Sequence, residues 1–162
     1  MAAVDYFLKI DGMEGESQDK THKKEIELLS WSWGETQTGS HGTGGGGGAG
    51  KVQMQDMHFV FSHCGASPKL ALACANGEHI KSAILVCRKA GKEQQEFLKI
   101  TLSDLLISSY QTGGSGHGDL VPTDQISINF TKIESEYKEQ KPDGSLSGAV
   151  KWGWNVKQNT KV

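Results

Sequence analysis

Residues 25–34 read EIELLSWSWG, and the spacing of the apolar side chains in this stretch decides the fold class. Ile26 and Leu28 alternate with polar neighbours, after which Leu29, Trp31 and Trp33 continue the alternation one residue out of phase. Alternation with period two marks a strand that buries one face. A slip of one residue would turn the buried set to solvent, so a β-bulge at Leu28 and Leu29 is expected to absorb it. The same slip recurs from Val52 and Met54 to Met57, Phe59 and Phe61, between Leu102 and Leu105, and between Phe130 and Ile133. Strands bulged so often bend strongly, and bent strands close into barrels. The chain is therefore expected to be mainly β, a single bent-strand β-barrel domain over residues 1–162 with one short flanking α-helix and a long glycine-rich loop.

Outward from this stretch the pattern holds. VDYFLKI (4–10) sets Val4, Tyr6, Leu8 and Ile10 on one side, with Phe7 making the other partly apolar. Further strands are read in HIKSAILVCRK (79–89), EFLKITLSDLLISS (96–109) and QISINFTKIESEY (125–137). The one helix lies in SPKLALACANG (67–77), with Ser67 as N-cap, Pro68 at the first helical position and Gly77 ending it in a left-handed conformation. A KPDG turn (141–144) and alternating Val150, Trp152, Trp154 and Val156 close the chain as a hairpin, whose tryptophan-bearing edge is expected to be covered or paired.

Seventeen basic and nineteen acidic residues leave a net charge of -2, which argues against nucleic acid or an anionic membrane as partner. Cys64, Cys74 and Cys87 are odd in number and lack zinc-site spacing, so they read as reduced, small apolar residues. Asp5 and Lys9 interrupt what would be the apolar core of a signal peptide. Folding in the cytosol is expected, with any export using a route that does not read such a signal.

Gly45, Gly50 and Lys51 reproduce most of the phosphate-binding loop G-x-x-x-x-G-K-[ST], but Val52 stands where the hydroxyl should be and a strand pattern follows instead of a helix. Residues 38–50 read better as a glycine-rich excursion joining two strands and ordering against a partner. TGGSGHGD (112–119) fails the serine-nucleophile pattern because His117 occupies the last glycine position, and Ser115, His117 and Asp119 lie too close in sequence to face one another. His58, His63 and Cys64 lack the spacing of a metal site. Glu134, Glu136 and Glu139 sit beside lysines on what reads as a solvated face. No catalytic, cofactor or metal site is expected.

The tryptophan pairs Trp31 with Trp33 and Trp152 with Trp154 read as core, since each continues the buried phase of its strand; the alternative is a carbohydrate-binding β-barrel module with Trp152 and Trp154 as stacking platforms. Inward tryptophans place Ser30, Ser32 and Gly34 on the opposite face as a small polar stripe. In a ring of subunits such a stripe could line the hole.

Several irregular segments resemble one family closely. VDYFLKIDGMEGESQDKTHKKEIELLSWSWG (4–34), TQTGSHGTGGGGGAGKVQMQD (36–56), SPKLALACANGEHI (67–80), SYQTGGSG (109–116) and VKWGWNVKQN (150–159) are together similar to the Hcp proteins, the tube-forming proteins of the bacterial type VI secretion system. The resemblance implies a β-barrel without enzymatic activity that forms a homo-hexameric ring. It implies rings stacked into an inner tube, driven out by a contractile sheath behind a VgrG spike and carrying effector proteins in the lumen, with no cofactor. It assigns contacts between rings to Thr38, Gly39, Ser40, His41, Gly42, Thr43, Gly44, Gly45, Gly46, Gly47, Gly48, Ala49, Gly50 and Lys51, and lumen-facing effector contact to Ser30 and Ser32. It further implies cytoplasmic assembly followed by secretion through the type VI system without a signal peptide. One segment departs: FVFSHCGASPKL (59–70) has Val60 and Phe61 where related sequences usually carry lysine and tyrosine after the phenylalanine, and it continues with His63 and Cys64.

Overall fold

The computed structural model describes residues 3–39, 51–89, 94–118 and 120–162. Its strands are β1 (Val4–Ile10), β2 (Ile26–Ser32), β3 (Glu35–Gln37), β4 (Val52–Met54), β5 (Met57–Ser62), β6 (Ile80–Lys89), β7 (Gln95–Gly113), β8 (Thr123–Tyr137), β9 (Val150–Asn155) and β10 (Thr160–Lys161), with α1 (Ser67–Asn76) between β5 and β6. All pairings are antiparallel, and β1, β2, β5, β8, β7 and β6 join in a closed cycle, the expected barrel. One edge of β8 serves β7 along its length, while the other is shared between β5 and β9. Beyond Asn129, therefore, β8 leaves the barrel wall and forms a wing with β9 and β10.

The bulge read from EIELLSWSWG is present. Between β2 and β5 the register shifts from Leu28↔Phe61 to Ser30↔Val60, and the extra residue, Leu29, is 59% exposed. The remaining slips have other causes. Val52 to Phe61 is two strands: β4 pairs with β3 in a separate two-stranded sheet, and the chain breaks at Gln55 and Asp56 before β5 joins the barrel. The slips at Leu102/Leu105 and Phe130/Ile133 lie opposite each other, as Leu102↔Ile133 and Leu105↔Phe130, so both strands change phase together and the register does not shift. β6 does the same, with Ile80 opposite Leu105 and Ala83 opposite Leu102. A crease thus crosses three strands with all six apolar residues buried, and Asp104 sits on it with φ 49°. The bulges in β7 fall elsewhere, between Glu96 and Leu98 and between Ile107 and Ser109.

Phe59, Phe61, Met57, Leu85, Leu102, Ile126 and Ile128 fill the barrel, and α1 lays Leu70 and Ala73 against it. Ser67 is not the N-cap; Ala66 is, and Ser67 occupies the first helical position with its hydroxyl buried. Gly77 ends the helix as expected, at φ 66°. The KPDG turn is closed by the Gly144 amide donating to the Lys141 carbonyl at 2.9 Å, and β9 then returns along β8.

Residues 11–25 form a strap over the outer face of β1 and β6. This explains the second apolar phase of VDYFLKI: Phe7 and its partner Val86 point outward yet are buried. The strap closes on itself tightly, since a Cβ on Gly15 would lie 2.6 Å from the Glu25 carbonyl oxygen.

Candidate functional site

The strands β3 and β4 pair only with each other, Glu35↔Met54, Thr36↔Gln53 and Gln37↔Val52, and make a stalk outside the barrel sheet. Of the residues assigned to ring contacts, Thr38, Gly39 and Lys51 are described and exposed at the end of this stalk. Residues 40–50 lie outside the described residues. Lys51 leads directly into strand β4, so the helix a phosphate loop requires does not follow it. At the stalk's base the Trp33 indole donates to the Gln55 carbonyl at 2.8 Å, and the Gln55 amide donates to the Gly34 carbonyl at 3.0 Å. Gly34 is consequently half-buried against Gln55 and does not extend the serine stripe.

Ser30 and Ser32 are exposed on β2. Ser32 faces His58 on β5, which faces Ser127 on β8. Ser127 meets the hydroxyls of Ser108 at 2.7 Å and Ser109 at 2.5 Å on β7, and Ser108 donates to Asp56 at 2.6 Å. The outer wall across four strands is therefore a polar band, with hydroxyls on β2, β8 and β7 and the His58 imidazole on β5, extending the stripe beyond what β2 alone suggested.

The tryptophans divide. Trp31, Trp33 and Trp154 pack against the core while only partly buried, but Trp152 is 43% exposed, so its reading as core is corrected. The reason lies in the wing: β9 lies outside the barrel cycle, against the part of β8 that no longer pairs with β5. Trp152 stacks one face on Trp33, centroids 5.8 Å apart, which leaves only the other face for any ligand.

Two clusters escaped sequence reading. Arg88, buried on β6, donates to Asp19 of the strap at 2.8 and 2.9 Å and to Asp5 of β1 at 3.1 Å. Arg88 holds the Asp19 carboxyl well below the usual range, against the opposing effect of burial. Nearby, His22 stacks on Phe7 and meets Glu25 at 2.9 Å and Glu96 at 2.6 Å. The signal was available in part: Arg88 is the chain's single arginine and directly follows the apolar run Ala83 to Cys87. In the second cluster Asp124, wholly buried, accepts from Ser67, from Tyr110 at 3.2 Å and from His63 Nδ1 at 3.1 Å. Desolvation pushes the Asp124 carboxyl up, but hydrogen bonds from Ser67, Thr112 and His63 outweigh it and the net shift is downward. The carboxylate takes both the serine and the histidine, so the histidine does not stand between them as a base would in a nucleophilic triad. The cluster pins α1 to β7 and β8.

The departing segment 59–70 thus contributes structural residues, His63 and Ser67. The cysteines are free thiols; burial pushes Cys87 up to about 12, while Cys64 and Cys74 are half-buried. Among the described residues no cluster of three or more His, Cys, Asp or Glu could hold a metal, and no helix is long and apolar enough to cross a membrane. Ser115 and His117 form a local exposed turn, the His117 amide donating to Ser115 Oγ at 3.3 Å; Asp119 lies outside the described residues. Glu134 and Glu136 pair with Lys132 and Lys138 at 3.6 and 3.9 Å on the outer face of the wing.

The family model for "Type VI secretion system effector, Hcp" matches residues 7–137. The Pseudomonas aeruginosa protein hcp1 is 52% identical over 162 residues, covering 99% of each chain. The chain belongs to the Hcp family. Solved Hcp structures agree with this barrel: Hcp1 from Salmonella typhimurium, 35% identical, superposes with a TM-score of 0.82 over 99% of this chain and 100% of its own. A type VI secretion system effector from Yersinia pestis, 34% identical, gives 0.77 over 94% of this chain and 100% of its own. This Hcp chain therefore carries the family's barrel with its helix, and the family places it among the proteins of type VI secretion.

Proposed function

We propose that this chain is the structural, non-enzymatic subunit of a type VI inner tube. Copies form hexameric rings, the rings stack through residues 38–51, and effectors ride in a lumen lined by Ser30 and Ser32. A contractile sheath expels the tube behind its spike, so assembly takes place in the cytoplasm and export needs no signal peptide. The observation that carries this reading is the β3–β4 stalk: paired to no barrel strand, it ends in the exposed Thr38, Gly39 and Lys51 from which the glycine-rich segment departs. Stacking through such loops is weaker than burial of barrel walls against one another, so rings persist in dilute solution while tubes need high concentration or a template.

Light scattering and electron micrographs test the proposal. Purified protein is expected as six-membered rings, and deleting Gly42 to Gly50 should leave the rings and abolish tubes. Monomers produced by that deletion would overturn the division of labour between barrel wall and loop.

A further inference from the structure

A groove of about 570 Å³ separates the stalk from the wing. One wall is the stalk face on which Glu35 stands opposite Met54 and Gln37 opposite Val52; the other is Trp152, Trp154 and Asn159 of the wing. Its volume lies within the range of small-molecule sites. The lining is mixed, with Val52 and Met54 half-buried and apolar, and Glu35, Thr36, Gln37 and Asn159 exposed and polar. Among the described residues no lysine or arginine lines it, so an anion meets Glu35 there without a balancing cation.

The wing side of the groove offers an aromatic plane already held in place. Trp33, fixed by its hydrogen bond to the Gln55 carbonyl at 2.8 Å, backs Trp152 with ring centroids 5.8 Å apart and planes 26° from parallel. Trp152 nevertheless stays 43% exposed. A ligand that stacks on it therefore pays little to order the indole. Trp154 adds a second signal, since its indole N–H is buried with no hydrogen-bond partner among the described residues. Buried donors of this kind are rare and destabilising, and they mark places where one more oxygen belongs.

We propose that the groove binds a short, neutral, β-linked oligosaccharide of N-acetylated amino sugars, with one sugar ring on the free face of Trp152. The axial C–H groups of a β-linked pyranose make a flat apolar face that suits an indole, while the hydroxyls at its edge suit the amides of Gln37 and Asn159 and the carboxylate of Glu35. The acetamido methyl matches the apolar lining of Val52 and Met54. A quaternary ammonium is the other ligand an indole face beside a carboxylate attracts, but it has no hydrogen bond to give Gln37 or Asn159. The site needs only the folded chain and does not rest on the ring reading.

The test titrates chitotriose into the full-length protein by calorimetry, with tryptophan emission followed in parallel. Saturable binding is expected with a dissociation constant of about 1 mM or tighter. Trp152→Ala should weaken it about tenfold or more, while Trp152→Phe keeps a stacking face and most of the affinity. If Trp152→Ala misfolds by circular dichroism, Gln37→Ala/Asn159→Ala, on two exposed side chains, carries the test and should weaken binding to a similar degree. No saturable binding of chitotriose, binding that these variants leave unchanged, or choline chloride held more tightly than the sugar would each overturn the assignment. Light scattering on the same samples keeps the two readings apart: a monomer that binds chitotriose retains this site and loses the ring, and a ring that does not bind it retains the ring and loses this site.

Discussion

Arg88 grips both carboxylate oxygens of Asp19 across 69 residues of sequence, at 2.8 and 2.9 Å, with only 3% of the arginine exposed. This fork joins the strap to the outer face of β6. A planar guanidinium on a carboxylate is fixed in direction by its two parallel bonds, and here the guanidinium is buried while Asp19 is half-buried.

Removing the arginine alone should therefore cost more than its packing. Arg88→Ala leaves Asp5 and Asp19 beside each other without their cation; because both carboxylates keep contact with water, the cost should lie at or below the low end of the about 3–5 kcal/mol for breaking a fully buried pair. Urea unfolding at neutral pH should show a lower midpoint with little change in slope. A loss no greater than that of an ordinary surface substitution would show that the strap is held mainly by Phe7.

The same contact sets a direction for pH. Arg88 depresses the Asp19 carboxyl in the folded protein, so stability from this pair is fully present above the unfolded carboxylate value, near pH ~4. Below it the unfolded chain binds a proton that the folded chain refuses, and stability falls as pH is lowered. Melting temperatures measured from pH 6 down to pH 2.5 should fall more steeply for wild type than for Asp19→Asn. Parallel curves would contradict the linkage.

Local alternation made the barrel legible, because each strand announces its buried face within a few residues. The bulge at Leu29 was readable for the same reason: its partner β5 keeps phase, so the slip has to be absorbed. The slips at Leu105 and Phe130 misled because their consequence depends on the facing strand, and three strands turned together. The break at Gln55 and Asp56 hid in the same way, since a stalk and a barrel strand can share one alternating run. Ser67 looked like a cap, but its hydroxyl answers to Asp124, 57 residues on. Trp152 looked buried because its phase is that of the core; what alternation does not reveal is that the facing layer ends before the strand does.

Deleting Leu29 tests the bulge directly. Without the extra residue Leu28 is followed directly by Ser30, the pairs Leu28↔Phe61 and Ser30↔Val60 become consecutive, and Trp31 and Trp33 keep the inward phase in a regular ladder. The variant is therefore expected to fold with its tryptophan emission unchanged and its stability altered by about 1 kcal/mol. A red shift in tryptophan emission together with a large drop in melting temperature would show that the residues after Leu29 had turned outward and that Leu29 is not the supernumerary residue.

Ser32 supplies the sharpest separation of fold from function. Its side chain is exposed beside the polar band, so a bulky cation there meets water rather than core, and Ser32→Arg should move the melting temperature by no more than a surface change does, within about 0.5 kcal/mol. If Ser32 lines the lumen, however, six copies of the substitution crowd one channel with positive charge. Effector retained on purified rings should then fall markedly while the rings themselves persist by light scattering. A variant that keeps both ring and cargo would remove Ser32 from the effector surface and leave the polar band without that role. Loss of the ring would place Ser32 in a contact between subunits instead.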